Sequence, residues 1–221
     1  MNFIKRYFTK IIARQLRKPS GILATKVGDK MNETNNFLYD FTINSLKLND
    51  NESILEIGFG NGKFFDKLFS HAKDLRISGL DFSSEMVKIA EKNNQDALKS
   101  QKLILKLGSS DKIPFHDNTF DKVFCINVIY FWEHPSNHLN EIYRVLKQGG
   151  KFYTSIRTKE SLVQMPFSKY GFNAYSFEEW KSILEANNFH QINCQKTQNE
   201  PDAYMDGNYY KVESLCIVAE K

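Results

Sequence analysis

At 221 residues, 41% of them hydrophobic, the chain can bury one sizeable core, and its length fits a single domain with additions. No apolar run reaches the roughly 20 residues of a membrane span, and neither repeats nor low-complexity tracts are visible. The net charge of +4 is uneven: residues 1–28 hold seven basic residues and no acid, so the remainder carries −3, which argues against a nucleic-acid surface spread over the fold and leaves only a basic arm.

In chain order, Ile4, Phe8, Ile11, Ile12 and Leu16 recur at helical spacing, opposite most of Lys5, Arg6, Lys10, Arg14, Arg17 and Lys18, until Pro19-Ser20-Gly21 stops the helix. Such an arm suits a lid over the domain or its substrate mouth, a membrane-surface helix, or a basic tether or transit peptide. It lacks the continuous apolar segment of a secretory signal. Residues 22–50 read as one or two helices, with Asn32–Ser45 as the second, so residues 1–50 form an N-terminal arm and 51–221 the main domain. Strands are expected at 53–57, 75–80, 102–107, 120–126 and 150–156, and helices at 61–71, 83–97, 136–147 and 176–187. This alternation implies a parallel sheet covered on both faces, a three-layer α/β fold, doubly wound and Rossmann-like. Residues 189–197 and 213–220, separated only by a loop with Pro201, Asp206 and Gly207, read as an antiparallel pair closing one edge. Cys125, Cys194 and Cys216 lie in apolar strand-like runs without metal-ligand spacing, so they are expected as reduced packing thiols in a cytoplasmic protein that holds no metal.

The stretch ILEIGFGNG (54–62) ends a buried strand with glycines at 58, 60 and 62. Glycines at such a strand end let a ligand approach the backbone, and a helix opening after them offers free N–H groups. A phosphate-binding loop is excluded because Gly58 and Gly62 are one residue too close and Phe64 follows Lys63. A dinucleotide fingerprint is excluded because Lys63 holds the third glycine position. What remains is acid-x-Gly-x-Gly-x-Gly, with Glu56 as the acid.

With GLDFSSEMVKIAEKN (79–93), GSSDKIPFHDNTFDKVFCINVIYFW (108–132) and HLNEIYRVLKQGGKFY (138–153) following in order, the chain resembles class I S-adenosylmethionine-dependent methyltransferases, particularly the small-molecule type 11 group that includes quinone-biosynthesis C-methyltransferases. The likeness spans about residues 53–156. It implies that the turn Glu56, Gly58, Gly60, Gly62 receives the amino acid part of S-adenosylmethionine and that Asp81 holds the ribose. Chemistry agrees: a carboxylate 23 residues after Gly58 suits a diol and repels a phosphate. Phe82 is expected against the adenine and Glu56 at the ammonium, with helix capping by Asp81, a structural role for Glu56 and core packing of Phe82 as the plain alternatives. Ser109 and Ser110 stand where the family reads adenine, but Ser109 replaces the usual aspartate, a weaker acceptor unless Asp111 substitutes. Gln148 replaces the proline usual before Gly149-Gly150, a change of turn rather than of chemistry.

The resemblance further places Asn127 near the methionine end of the cofactor. Tyr130, Trp132 and His134 then border the acceptor space, with His134 the candidate base and surface helix capping its alternative; His116 is expected in solvent. Segments 157–175 and 198–211 are rich in aromatics, among them Phe167, Tyr170, Phe172, Tyr175, Tyr204, Tyr209 and Tyr210, with Met165 and Met205 between. Tyr170 and Tyr175 are therefore candidate substrate contacts, or these rings fill a minor core. The expected partner is a small apolar or aromatic methyl acceptor, with contact to a membrane surface through residues 1–18 as one route to it. An RNA or protein substrate held by the arm and a non-catalytic cofactor binder are the alternatives, although the Asn-Pro-Pro-Tyr-like motif of amino-directed enzymes is absent at Asn127.

Overall fold

The computed structural model describes residues 3–21, 24–205 and 207–221. The side chains of residues 3–5 and 205 and all of Asp206 lie outside that set, and with them the expected places of Ile4, Lys5, Met205 and Asp206. Two helices lead in, α1 (Phe3–Arg17) and α2 (Ala24–Leu46). They are followed by β1 (Ser53–Ile57), α3 (Phe65–Phe69), β2 (Arg76–Asp81), α4 (Ser84–Asn93), α5 (Gln95–Lys99), β3 (Leu103–Leu107) and β4 (Phe120–Ile126). Then come α6 (Pro135–Val145), β5 (Leu146–Arg157), α7 (Lys159–Gln164), α8 (Phe177–Ala186), β6 (His190–Lys196), β7 (Ala203–Met205), β8 (Asn208–Tyr210) and β9 (Ser214–Glu220).

The main sheet has seven strands in the order β3-β2-β1-β4-β5-β9-β6. β1 to β5 pair in parallel, and β9 lies antiparallel between β5 and β6. This is the expected doubly wound, Rossmann-like three-layer fold, with β7 and β8 forming a separate hairpin. Strand order reverses between β1 and β4, which opens a crevice at the carboxyl ends of the strands.

Each face of the sheet carries its own core. Ile54 and Leu55, neighbours in β1, are both fully buried but belong to different clusters. That is the pattern of a strand covered on both sides. Leu55 packs with Val123, Phe152 and Trp180; Ile54 packs with Phe65, Phe124 and the α2 residues Leu38, Ile43 and Leu46. Full burial of each such side chain contributes about 1.5–3 kcal/mol. Among the described residues no helix is long and apolar enough to cross a membrane.

Several elements differ from expectation. Of the one or two helices expected at 22–50, residues 24–46 form a single continuous one, so 32–45 is part of it and not a second helix. The helix expected at 61–71 shrinks to the five residues of α3, because Gly58, Gly60 and Gly62 have φ of 78°, 59° and 70° and keep the chain in a left-handed turn. The helix expected at 83–97 is divided into α4 and α5 at Asn94 (φ −122°), whose side chain donates to the carbonyls of Ala90 and Gly62. β5 starts at Leu146, and α7 and the β7–β8 hairpin arise inside the aromatic-rich segments 157–175 and 198–211, where no element was expected. The aromatic segment at 157–175 fills the end of one core: Phe172 meets Phe131 at 4.8 Å and Phe167 at 5.1 Å between ring centroids, and Tyr175 meets Trp180 at 5.2 Å.

Candidate active site

A cavity of about 340 Å³ opens over the carboxyl ends of β1, β2 and β4. Its floor is the turn after β1. Gly60 has room for a Cβ within 4 Å, so any side chain there would enter the open space, whereas a Cβ on Gly58 would come within 2.5 Å of Val128 Cγ2. Asp81, the last residue of β2, accepts from Gly60 N at 2.9 Å with Oδ2 and from Ser83 N at 2.8 Å with Oδ1. These bonds fasten the acid to the glycine turn and leave further lone pairs on both oxygens. Burial pushes the Asp81 carboxyl up to about 6, partly offset by the N–H donors of Ser83, Gly60 and Phe82 and by the charge of Lys18.

One face of α2 forms the opposite wall, through Gly28, Met31, Asn32, Asn35 and Tyr39. The Asn32 side chain donates to Asn61 Oδ1 at 2.9 Å, and Asn61 donates to Asp29 at 3.2 Å, so the roof is tied to the turn. Asn127 follows β4 with φ of 57° and donates to Asn35 Oδ1 at 3.1 Å. Its Oδ1 accepts from the Tyr130 hydroxyl at 3.0 Å, and that hydroxyl in turn accepts from Arg157 N. The Tyr39 hydroxyl donates to Glu56, which is 2% exposed. Burial pushes the Glu56 carboxyl up to about 8, with the Tyr39 hydrogen bond opposing and the Asp81 charge adding.

The rim comes from α1 and the segment after β4. Ser83, the N-cap of α4, donates its hydroxyl to Pro19 O at 2.6 Å, which straps the end of α1 beside the site. Lys18 Nζ lies 5.3 Å from the centre of the Phe82 ring, and Arg17 pairs with Glu133 at 3.7 Å. His138, one helical turn beyond His134, stacks on Trp132 at 4.5 Å and shares a 2.7 Å hydrogen bond between Nδ1 and Ser110 Oγ. Burial holds its imidazole below the usual value.

Residues 55–154 match the family described as methyltransferase domain. The chain is 32% identical over 127 residues to the uncharacterized methyltransferase YdaC of Bacillus subtilis, a stretch that covers 58% of this chain and 68% of that protein. It is 30% identical over 187 residues to the ubiquinone/menaquinone biosynthesis C-methyltransferase UbiE of Rickettsia bellii, covering 78% of this chain and 75% of that one. The chain belongs to the class I S-adenosylmethionine-dependent methyltransferases. The fold agrees with a solved SAM-dependent methyltransferase from Aquifex aeolicus at a TM-score of 0.66, 20% identity, 96% of this chain and 97% of that chain.

In this methyltransferase, Gly58, Gly60, Asp81 and Phe82 share one cavity with Ser109, Ser110 and Asn127. Phe82 is 38% exposed, so it is not a core residue, and Ser83 rather than Asp81 caps α4. Other expectations change. Glu56 is absent from the wall; Tyr39 takes its carboxylate and reaches the cavity instead. Gly62 is also outside it, where a Cβ would come within 2.8 Å of Ala90 Cβ and Asn94 Nδ2, so its role is close packing. Tyr130 is buried beneath the floor, with its hydroxyl spent on Asn127 and Arg157. Tyr170 is half-buried and Tyr175 packs on Trp180, and neither lines the cavity. Trp132 and His134 do; His134 occupies the N-cap position of α6, is exposed, and makes no capping hydrogen bond with its side chain.

The α2 wall and His138 were missed. The α2 residues are legible afterwards as a helical stripe at 28, 31, 32, 35 and 39, and His138 as the neighbour of His134 four residues on. Among the described residues no group of three or more His, Cys, Asp or Glu is arranged to hold a metal ion.

Proposed function

We propose that this chain transfers a methyl group from S-adenosylmethionine to a small apolar or aromatic acceptor. The observation that carries the reading is Asp81, a buried acid fastened to an uncrowded glycine turn inside a cavity. A carboxylate there accepts from paired hydroxyls and repels a phosphate. The site fits the cofactor: Asp81 would hold the ribose, the Gly58–Gly60 backbone the amino acid part, Phe82 with Ser109, Ser110 and Asp111 the adenine, and Asn127 the methionine end.

S-adenosylmethionine, when bound, supplies a methyl group that is already electrophilic. What the chain must add is position and the exclusion of water. Leu16, Met31, Val128, Phe131 and Trp132 give the wall its apolar part, which favours an acceptor of the same character. His134 stands at the mouth to take a proton from an acceptor that needs to lose one. Glu56 acts as a positioning residue through Tyr39. Residues 1–50 serve as the arm and lid of the domain at 51–221, with the end of α1 and the first half of α2 covering the cavity. The second half of α2 is built into the core.

Calorimetry with S-adenosylhomocysteine, ATP and NADH in parallel tests the cofactor: the first binds and the other two do not, and the reverse overturns the reading. Labelled S-adenosylmethionine with a metabolite extract then tests the reaction. Labelled apolar product supports it; cofactor binding without any S-adenosylhomocysteine formed leaves a non-catalytic binder.

A further inference from the structure

We propose that α1 docks on an anionic membrane surface through Phe8 and Ile12, setting the mouth of the cavity against the lipid. The inference shares with the proposed function only the position of α1 at the mouth.

An amphipathic helix of a water-soluble domain normally turns its largest apolar side chains to the core. Among its described side chains α1 does not: the buried ones are the small Thr9 and Ala13, while Phe8 is 58%, Ile12 44% and Tyr7 61% exposed. Phe8 and Ile12, four residues apart, form a stripe beside the packed strip, and Tyr7 and Arg14 follow round the helix beyond the half-buried Ile11. An apolar stripe with Tyr7 and Arg14 beyond its free flank, and Arg6 and Lys10 on the far side of the helix, matches the boundary between acyl chains and headgroups.

The charge selects the surface. Arg6, Lys10 and Arg14 are exposed and have no acid partner among the described residues, and residues 1–28 contain no acid at all. The rest of the chain carries −3, so attraction to an anionic bilayer is confined to this arm and orients the molecule. A polyanion such as RNA would be met by the cations alone and gives no reason for exposed Phe8 and Ile12. The helix is also held where docking would matter: Leu16, Arg17 and Pro19 belong to the cavity wall, and Pro19 is strapped to Ser83. An apolar acceptor dissolved in the bilayer would then enter without crossing water.

The test is flotation of the full chain with vesicles of phosphatidylcholine alone and of an equimolar mixture with phosphatidylglycerol, without cofactor or acceptor. Wild type is expected on the mixed vesicles and not on the neutral ones. The double variant F8D/I12D should bind about a hundredfold more weakly, and Arg6→Gln, Lys10→Gln and Arg14→Gln should each cost about fivefold. Unchanged S-adenosylhomocysteine affinity in every variant reports an intact fold. Three results overturn the proposal: no vesicle binding by wild type, equal binding by F8D/I12D, or a wild-type dimer that F8D/I12D dissociates in the absence of lipid. RNA retention that ignores Phe8 and Ile12, with no binding to mixed vesicles, would do the same and turn the arm into a tether. Because the vesicle assay contains neither cofactor nor acceptor, it can fail while methyl transfer stands, and the converse.

Discussion

Replacing Asp81 by Asn is the most informative single change. The carboxylate accepts from two backbone donors, Gly60 N at 2.9 Å and Ser83 N at 2.8 Å, one on each oxygen. Asn has one oxygen, so one of these N–H groups must face an amide NH₂. The unpartnered buried donor costs about 1–3 kcal/mol of stability, read as a lower Tm. With Asp81 in the proposed ribose role, cofactor binding loses more specifically, because charge-assisted bonds to two ribose hydroxyls would go with the charge. Their loss is on the order of 1.5–3 kcal/mol, or about 10- to 100-fold in Kd. The wild-type pH profile checks the same bonds independently. Asp81 sits at about 6 because it is buried. Hydroxyl donors favour the ionised form, so binding lowers that value, and affinity is complete above about pH 7 and falls by up to tenfold per unit as pH drops through 6. Calorimetric titration of both proteins across this range decides the matter. A variant within twofold of wild type, or a flat wild-type profile, removes Asp81 from the ribose role.

Gly60→Val should give a folded protein without measurable cofactor binding, since its Cβ enters open space in a left-handed turn that also costs about 1–2 kcal/mol for a residue with a side chain; normal affinity in calorimetry contradicts the cradle. Glu56 is held at about 8 against an ordinary 4.5, so the stability it contributes is full below about 4.5 and is lost as pH rises through 8, by at most about 1.4 kcal/mol per unit. Glu56→Gln keeps an acceptor for Tyr39 and should flatten the fall in Tm of the unliganded protein over that window; superimposable profiles would refute the buried-acid account. His134→Asn should lower turnover about 100-fold with cofactor affinity unchanged if the acceptor must lose a proton, and full turnover in a product assay disposes of that role.

The glycine turn, Asp81 and the alternation of strands and helices were legible because each is written locally. A positive φ at Gly58, Gly60 and Gly62, an apolar run such as ILEI and an acid at a strand end need no knowledge of distant residues. The length of α3 was misread for a related reason: the same left-handed turn that marks the site delays the helix, and periodicity cannot register that.

Sequence by itself determined the mostly parallel sheet and the glycine turn at the end of β1, and through its family resemblance it pointed to S-adenosylmethionine. Only the tertiary structure decided that Tyr39 covers Glu56, that Asn35 meets Asn127 across 92 positions, and that Phe8 and Ile12 face outward while Thr9 and Ala13 face in. Periodicity fixes which side chains share a face of a helix. Which face is covered depends on what the rest of the chain brings against it, and that is a property of packing.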